Sequence, residues 1–137
     1  MNFLPQKSFY SAPIAITVLS MIAYSALFAE TPPAEADENT AYRISISGPI
    51  TPSTSELLIE AIELAERNEA RALIVEIDTP GGLVPSMDQM TRAILGSEVP
   101  VITYVSPKGA ACGSACVYIL YASHVAAMAP ATNIGSA

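Results

Sequence analysis

The sequence predicts an α/β fold of repeated βαβ units around a mainly parallel sheet. Short runs with strand patterns alternate with longer runs in which apolar residues recur at helical spacing. The order is strand, helix, strand, helix, strand, helix, strand. Strands that alternate with single helices are joined by right-handed crossovers, which makes them parallel.

Four segments are predicted as strands. Residues 42–47 alternate apolar and polar side chains, which indicates a strand with one polar face. Residues 72–77, ALIVEI, form a mostly apolar run that is typical of a strand buried on both faces. Residues 101–105 and 125–128 complete the set.

Three segments are predicted as helices. The first begins near Ser53, because Glu56 follows it at the capping-box spacing. The others cover residues 85–95 and 114–122. The apolar stripe of the first helix is expected to comprise Leu57, Leu58, Ala61, Ile62 and Ala65.

Glycines and prolines set the expected irregular segments. Residues 106–113 contain Gly109 and Gly113 and are predicted to form a turn. The tail, APATNIGSA, is predicted to be a loop.

Residues 1–29 are predicted to be a signal peptide or an N-terminal anchor. Lys7 precedes an uncharged run from Ser8 to Ala29, which is the layout of an export signal. Cleavage after Ala29 places Leu27 at the −3 position, a mediocre site, so an uncleaved anchor is the alternative. Both interpretations place the rest of the chain outside the cytoplasm.

The remaining chain divides into a linker and one domain. Residues 30–41 are rich in proline and acidic residues and lack apolar periodicity, which indicates a linker. Residues 42–137 carry the βαβ pattern and form the predicted domain. A chain of 137 residues has room for one domain beside its targeting segment.

Composition excludes several classes of function. A net charge of −7 with six basic residues argues against nucleic-acid binding, which needs clustered Lys and Arg. Cys112 and Cys116, without further Cys or a nearby His, fall short of a four-ligand metal site. No nucleotide-binding loop is present, so nothing in the sequence indicates ATP-driven unfolding. No metal and no cofactor are predicted. Whether the two cysteines form a disulfide stays open.

Two loops that follow predicted parallel strands carry the candidate chemistry. Ligands of open α/β sheets bind at the carboxyl ends of the strands. Gly81 and Gly82 let backbone N–H groups face a cleft without a Cβ in the way. Ser114 stands between small residues where a turn becomes a helix, which suits a nucleophile, although serine is also a common helix cap. Together the loops supply a hydroxyl and two amide donors.

Three separated motifs resemble the protease domain of the NfeD family. They are VEIDTPGGL (residues 75–83), PKGAACGSA (107–115) and YASHVAAMAPATNIGSA (121–137). The NfeD family is a membrane-bound group of the ClpP/crotonase superfamily, related to the signal peptide peptidase SppA. The resemblance covers residues 42–137 and implies a ClpP-like fold with a serine–lysine dyad.

The resemblance also implies roles for individual residues. Ser114 matches the nucleophile, Gly82 with Gly81 matches one side of the oxyanion hole, and Ala115 matches the amide that follows the nucleophile. Residues 128–135 match the loop that lines the cleft. This chain departs from the family in having Cys116 where a glycine is usual.

The catalytic base is expected to be a lysine beyond residue 137. The chain is then the N-terminal part of an incomplete protease domain and is inactive alone. His124 is the only histidine, and a continuous helix would place it ~15 Å from Ser114. Lys108, in a polar turn, is expected to be solvated and charged, whereas a base must be neutral.

The predicted function is that of an exported, membrane-associated serine endopeptidase that acts on the periplasmic or extracytoplasmic face of a membrane. The resemblance implies peptide substrates in hydrophobic segments of membrane proteins, a stomatin-like partner and a homo-oligomer. One alternative is an acyl-CoA enzyme of the crotonase type, which shares the oxyanion hole. The other is a catalytically inactive scaffold or assembly module.

Overall fold

A computed structural model describes residues 40–136 of the chain. The predicted signal or anchor at 1–29 and most of the linker therefore lie outside the described residues. Within them the strands are β1 (Ala41–Ser47), β2 (Ala72–Asp78), β3 (Val101–Val105), β4 (Ala111–Gly113), β5 (Val125–Met128) and β6 (Asn133–Gly135). The helices are α1 (Pro52–Arg67), α2 (Val84–Gly96) and α3 (Ala115–Ala122).

The main sheet has the strand order β1-β2-β3-β5, and all of its pairs are parallel. Val75 of β2 is opposite Ile44 of β1 and Thr103 of β3, and Thr103 is opposite Ala126 of β5. Each parallel pair is connected through a helix, as the alternating sequence pattern predicts. The predicted α/β fold with repeated βαβ units is confirmed.

The core lies between one face of this sheet and the helices. Leu73, Val75 and Ile77 of β2 are fully buried, whereas Ile74 and Glu76 on the opposite face are half-buried. The prediction that β2 is buried on both faces is therefore correct for one face only. The helices contribute fully buried side chains to the same core, among them Leu58, Met90, Ile94 and Ile119.

Helix α1 begins earlier than its sequence pattern predicts. Thr51 is the N-cap, and its N–H donates to Thr54 Oγ1 at 2.8 Å while the Thr54 N–H donates to Thr51 Oγ1 at 3.4 Å. Pro52 occupies the first helical position, where its missing N–H costs nothing. The capping box expected at Ser53 is therefore wrong, and Ser53 lies exposed in the first turn.

Two short strands occupy segments that were predicted to be irregular. β4 and β6 form a separate parallel pair, in which Ala111 is opposite Asn133 and Gly113 is opposite Gly135. The predicted turn therefore ends in a strand, and the predicted terminal loop contains one. Three residues are too few to show a period of two, so neither strand is visible in the sequence pattern. In residues 40–136, no helix is both long enough and apolar enough to cross a membrane.

Candidate functional site

The segment after β2 and the segment around β4 are held together by backbone hydrogen bonds. The Thr79 N–H donates to the Ala111 carbonyl at 2.8 Å, and the Gly113 N–H donates to the Thr79 carbonyl at 2.9 Å. The Asp78 carboxylate accepts the Ala111 N–H at 2.9 Å. These bonds bring the double-glycine loop, residues 81–82, next to the segment that leads into α3.

Ser114 has a backbone conformation that serine rarely adopts. Its φ is 47° and its ψ is −112°, at the N-cap position of α3. Such a conformation costs about 1–3 kcal/mol and persists only where the surrounding structure enforces it. The Ser114 N–H donates to the Gly135 carbonyl of β6 at 2.9 Å, and the Val117 N–H donates to the Ser114 carbonyl at 3.0 Å. Residues 113–115 are called the Ser114 turn below.

The Ser114 hydroxyl does not act as a helix cap. Its side chain forms no capping hydrogen bond to α3, and among the described residues it has no hydrogen-bond partner. The residue is half-buried. A serine at positive φ whose hydroxyl makes no capping bond is a candidate for a role in chemistry.

Gly81 packs directly against the Ser114 turn. Its φ is +109°, and a Cβ added to it would lie 2.7 Å from Ser114 Cβ and 3.2 Å from the Ala115 nitrogen. Its amide is held by the buried Thr79, whose Oγ1 accepts the Gly81 N–H at 3.1 Å. The close approach and the positive φ both require glycine at this position.

Gly82 lies against another part of the backbone. A Cβ there would lie 2.2 Å from the Ile50 carbonyl oxygen, so a side chain has no room. Ile50 donates to the Gly81 carbonyl and accepts the Leu83 N–H, both at 2.9 Å. In this parallel bridge the N–H of Gly82 itself points away from Ile50, and it donates to no backbone carbonyl among the described residues.

The Ala115 N–H is a second available donor. Ala115 is the first residue of α3, and the first N–H groups of a helix have no partner within it. Its nitrogen lies close to Gly81, since a Cβ added to Gly81 would lie 3.2 Å from it. The structure thus brings Gly81, Ser114 and Ala115 into contact, with Gly82 as the next residue in the loop. Backbone donors beside a free hydroxyl are the arrangement that can stabilise an oxyanion during acyl transfer.

Cys112 and Cys116 form a disulfide across the Ser114 turn. Their Cα atoms are 5.1 Å apart, and both residues are fully buried. The pairing resolves the question that the sequence leaves open. It is possible because Cys112 lies in β4 rather than in the helix.

Neither candidate base among the described residues, His124 or Lys108, forms a hydrogen bond with Ser114. His124 follows the far end of α3, an eight-residue helix about 12 Å long. Its Nδ1 accepts the Val101 N–H at 3.1 Å, which joins the starts of β3 and β5. Lys108 is exposed in the turn after β3. Within residues 40–136 no group of His, Cys, Asp and Glu could hold a metal ion.

Gly113 and Thr79 hold the backbones of the two loops together and have no proposed chemical role. The sequence pattern gives little indication of this structural role. Gly113 has no room for a side chain, because a Cβ would lie 2.7 Å from the Pro80 carbonyl oxygen. Thr79 is buried and also donates to the Gly81 carbonyl at 3.2 Å. The pairing of glycine with serine at 113–114 is the one signal that could have identified Gly113.

Comparisons with known proteins agree on one family. The family model described as NfeD1b, N-terminal domain, matches residues 40–137. The membrane-bound protease PH1510 of Pyrococcus horikoshii is 43% identical over 99 residues, which cover 72% of this chain and 22% of that protein. The membrane protein NfeD1b of Bacillus subtilis is 32% identical over 132 residues, which cover 96% of this chain and 28% of that protein. The chain therefore spans less than a third of the length of these relatives.

Solved structures extend this similarity to the fold. A serine-to-alanine variant of the 1510-N membrane-bound stomatin-specific protease has a TM-score of 0.70 and 42% identity, covering 72% of this chain and 47% of that one. A lysine-to-alanine variant of the protease, in complex with a substrate peptide, has a TM-score of 0.69 and 44% identity, covering 71% and 44%. ClpP1 from Listeria monocytogenes has a TM-score of 0.61 at 20% identity, covering 67% and 54%. The fold is ClpP-like, and the chain is a partial domain.

Proposed function

Because the chain belongs to the family of NfeD1b N-terminal domains, we propose that it is the N-terminal part of the protease domain of an exported, membrane-associated serine endopeptidase. Its relatives are membrane-bound, and those named for an activity are proteases. The observation that carries the proposal is the conformation of Ser114, a serine at positive φ with the Gly81 backbone packed against it.

In the proposed reaction, Ser114 Oγ attacks the carbonyl carbon of a peptide bond. The N–H groups of Gly82 and Ala115 donate to the developing oxyanion, because neither amide is used by the fold. A lysine beyond residue 137 takes the serine proton and returns it to the leaving amine. That lysine must be neutral, so we expect it to lie in a desolvated setting. The serine and lysine variants of the stomatin-specific protease support this pair of residues.

The proposed substrates are hydrophobic segments of membrane proteins, with a stomatin-like protein as partner. The solved relative is specific for a stomatin homologue. Leu83 and Val84, directly after Gly82, are 55% and 62% exposed, which provides an apolar surface beside the proposed oxyanion hole. An apolar peptide side chain would bury this surface on binding.

The proposed location is the extracytoplasmic side of the membrane. The Cys112–Cys116 disulfide supports it, because disulfides persist in the periplasm and outside the cell and are rare in the cytosol. We also propose a homo-oligomer. Leu95 and Tyr121 are 71% and 80% exposed, and such apolar and aromatic side chains suit an interface between copies.

The test is cleavage of a peptide from a hydrophobic segment of a stomatin-like protein by the full-length enzyme. We expect Ser114→Ala to lower kcat by at least a thousandfold, because no other hydroxyl replaces the nucleophile. Ser45→Ala is the matched control, since Ser45 is exposed in the middle of β1. Equal cleavage by the wild type and Ser114→Ala would contradict the nucleophile assignment.

The same preparation separates the two alternatives. Binding of an acyl-CoA, measured by calorimetry, with no peptide cleavage would favour an enzyme of the crotonase type. A folded full-length protein with neither activity would favour a scaffold or assembly module.

A further inference from the structure

A covalent bridge encloses the Ser114 turn. Cys112 and Cys116 stand two residues before and two residues after Ser114, so the bridged segment contains only Gly113, Ser114 and Ala115 between its ends. These residues include the proposed nucleophile and one of the two proposed oxyanion donors. No other side chains lie inside the loop.

Both ends of the bridge are anchored in regular structure. Cys112 is the central residue of β4, opposite Ile134 of β6, and it also forms a bridge with Thr79. Cys116 lies in the first turn of α3 and belongs to the buried core. The disulfide therefore ties the strand before the Ser114 turn to the helix after it.

The disulfide adds a covalent restraint to a turn that is otherwise held by backbone contacts. Ser114 has a positive φ, and its side chain offers no capping bond that would compensate for it. Gly113 has no side chain and Ala115 has only a methyl group, so side-chain packing does little to hold the turn. Besides backbone hydrogen bonds, the disulfide is the one cross-link that the described residues place across this turn.

We propose that Cys112 and Cys116 are positioning residues, whose disulfide holds the Ser114 hydroxyl and the Ala115 amide in the geometry for attack. The inference rests on the proposed function. A bridge over so short a loop restricts the unfolded chain less than a bridge over a long loop would, because the entropy of loop closure grows with loop length. The test therefore has to separate an effect on local geometry from an effect on global stability.

The bridge is a fixed restraint in the folded protein. Both half-cystines are fully buried, so a thiol reductant reaches them only when the turn opens. The disulfide is therefore shielded from solvent, although Ser114 between its two cysteines is half-buried. Displacement of a reacting group by about 1 Å can lower a rate a hundredfold, which sets the scale of the expected effect.

The experiment compares the oxidised full-length wild type with the double variant Cys112→Ala/Cys116→Ala on the same peptide. We expect kcat to fall ten- to a hundredfold in the double variant, while KM changes less than twofold. The matched control is Ile119→Val, a buried substitution in the same helix that leaves the bridge intact. The kcat of Ile119→Val should stay within twofold of the wild type. This control distinguishes the effect of losing the disulfide from the effect of looser packing of α3.

A double variant that keeps the wild-type kcat overturns the inference and leaves the proposed function standing. A wild type without Ser114-dependent cleavage contradicts the proposed function and the inference with it. The two failures are therefore distinguishable within one set of measurements.

If the double variant does not fold, the wild type is titrated with dithiothreitol. This dithiol reduces the disulfide to two thiols and is itself oxidised to a cyclic disulfide. Loss of kcat in step with the reduced fraction, at constant far-UV circular dichroism, supports the proposal. Full activity in the reduced protein overturns it. Loss of activity only together with unfolding also overturns it, because the bridge is then a general brace.

Discussion

Gly81 and Ser114 are conformationally exceptional residues that depend on each other. Gly81 packs against Ser114 so closely that a side chain on residue 81 would collide with the Ser114 Cβ. Both have positive φ values, and both lie in segments connected by the Thr79 hydrogen bonds. A change at either residue should therefore affect the other.

Gly81→Ala should lower the free energy of unfolding by about 1–3 kcal/mol, because alanine is strained at positive φ and its Cβ would meet Ser114. Urea denaturation followed by circular dichroism measures the change. Gly96→Ala is the control, since Gly96 has open space and no positive φ. Its expected change is below about 1 kcal/mol, and equal losses for the two variants would contradict the explanation.

The chemistry of these residues was partly visible in the sequence, and their geometry was not. The double glycine and the serine among small residues identify the two loops. The positive φ of Ser114 has no local signal, because serine by itself disfavours that region. It coincides with contacts to Gly135 and Gly81, which are distant in the chain, and with the Cys112–Cys116 disulfide. The roles of Gly81, Gly82, Ser114 and Ala115 remain predictions.

At the scale of elements, the cap of α1 shows how a sequence pattern can be displaced by two residues. Ser53 with Glu56 and Thr51 with Thr54 both have the spacing of a capping box. Pro52 decides between them, because proline is favoured at the first helical position. The helix therefore begins directly after Thr51.

Thr51→Ala should lower the free energy of unfolding by about 1 kcal/mol, because the bond from the Thr54 N–H to Thr51 Oγ1 is lost. Ser53→Ala should leave it unchanged within about 0.5 kcal/mol, since Ser53 is exposed. Thermal unfolding of both variants tests the assignment. A larger loss of unfolding free energy for Ser53→Ala than for Thr51→Ala would show that Ser53 is the N-cap, as the sequence pattern indicates.

The strands of the main sheet were predictable because each contains at least four residues with an apolar run or a clear alternation. β4 and β6 were not, because each has three residues and pairs with a segment far along the chain. Long-range pairing is decided by the surrounding fold rather than by local propensity.

Residues 40–136 share one core, and adjacent residues of α1 differ in how much they contribute to it. The helical stripe predicted from the sequence includes both Leu57 and Leu58. Leu58 is fully buried, whereas Leu57 is 42% exposed. The spacing identifies the side of the helix, but the edge of the buried stripe depends on where α2 and the sheet lie.

Leu58→Ala should lower the free energy of unfolding by about 2–5 kcal/mol, because it removes buried apolar contacts and leaves a cavity. Leu57→Ala should cost less than about 1 kcal/mol. Chemical denaturation of the two variants measures the difference. Similar losses would show that the core extends across Leu57.

The bond between the Ser114 N–H and the Gly135 carbonyl also bears on the order of events during synthesis. The last strand of the main sheet ends at Met128, whereas the support of the serine needs β6. A nascent chain can therefore assemble its sheet before the partner of Ser114 has left the ribosome. The backbone support of Ser114 is therefore added only after the strands of this sheet have been made.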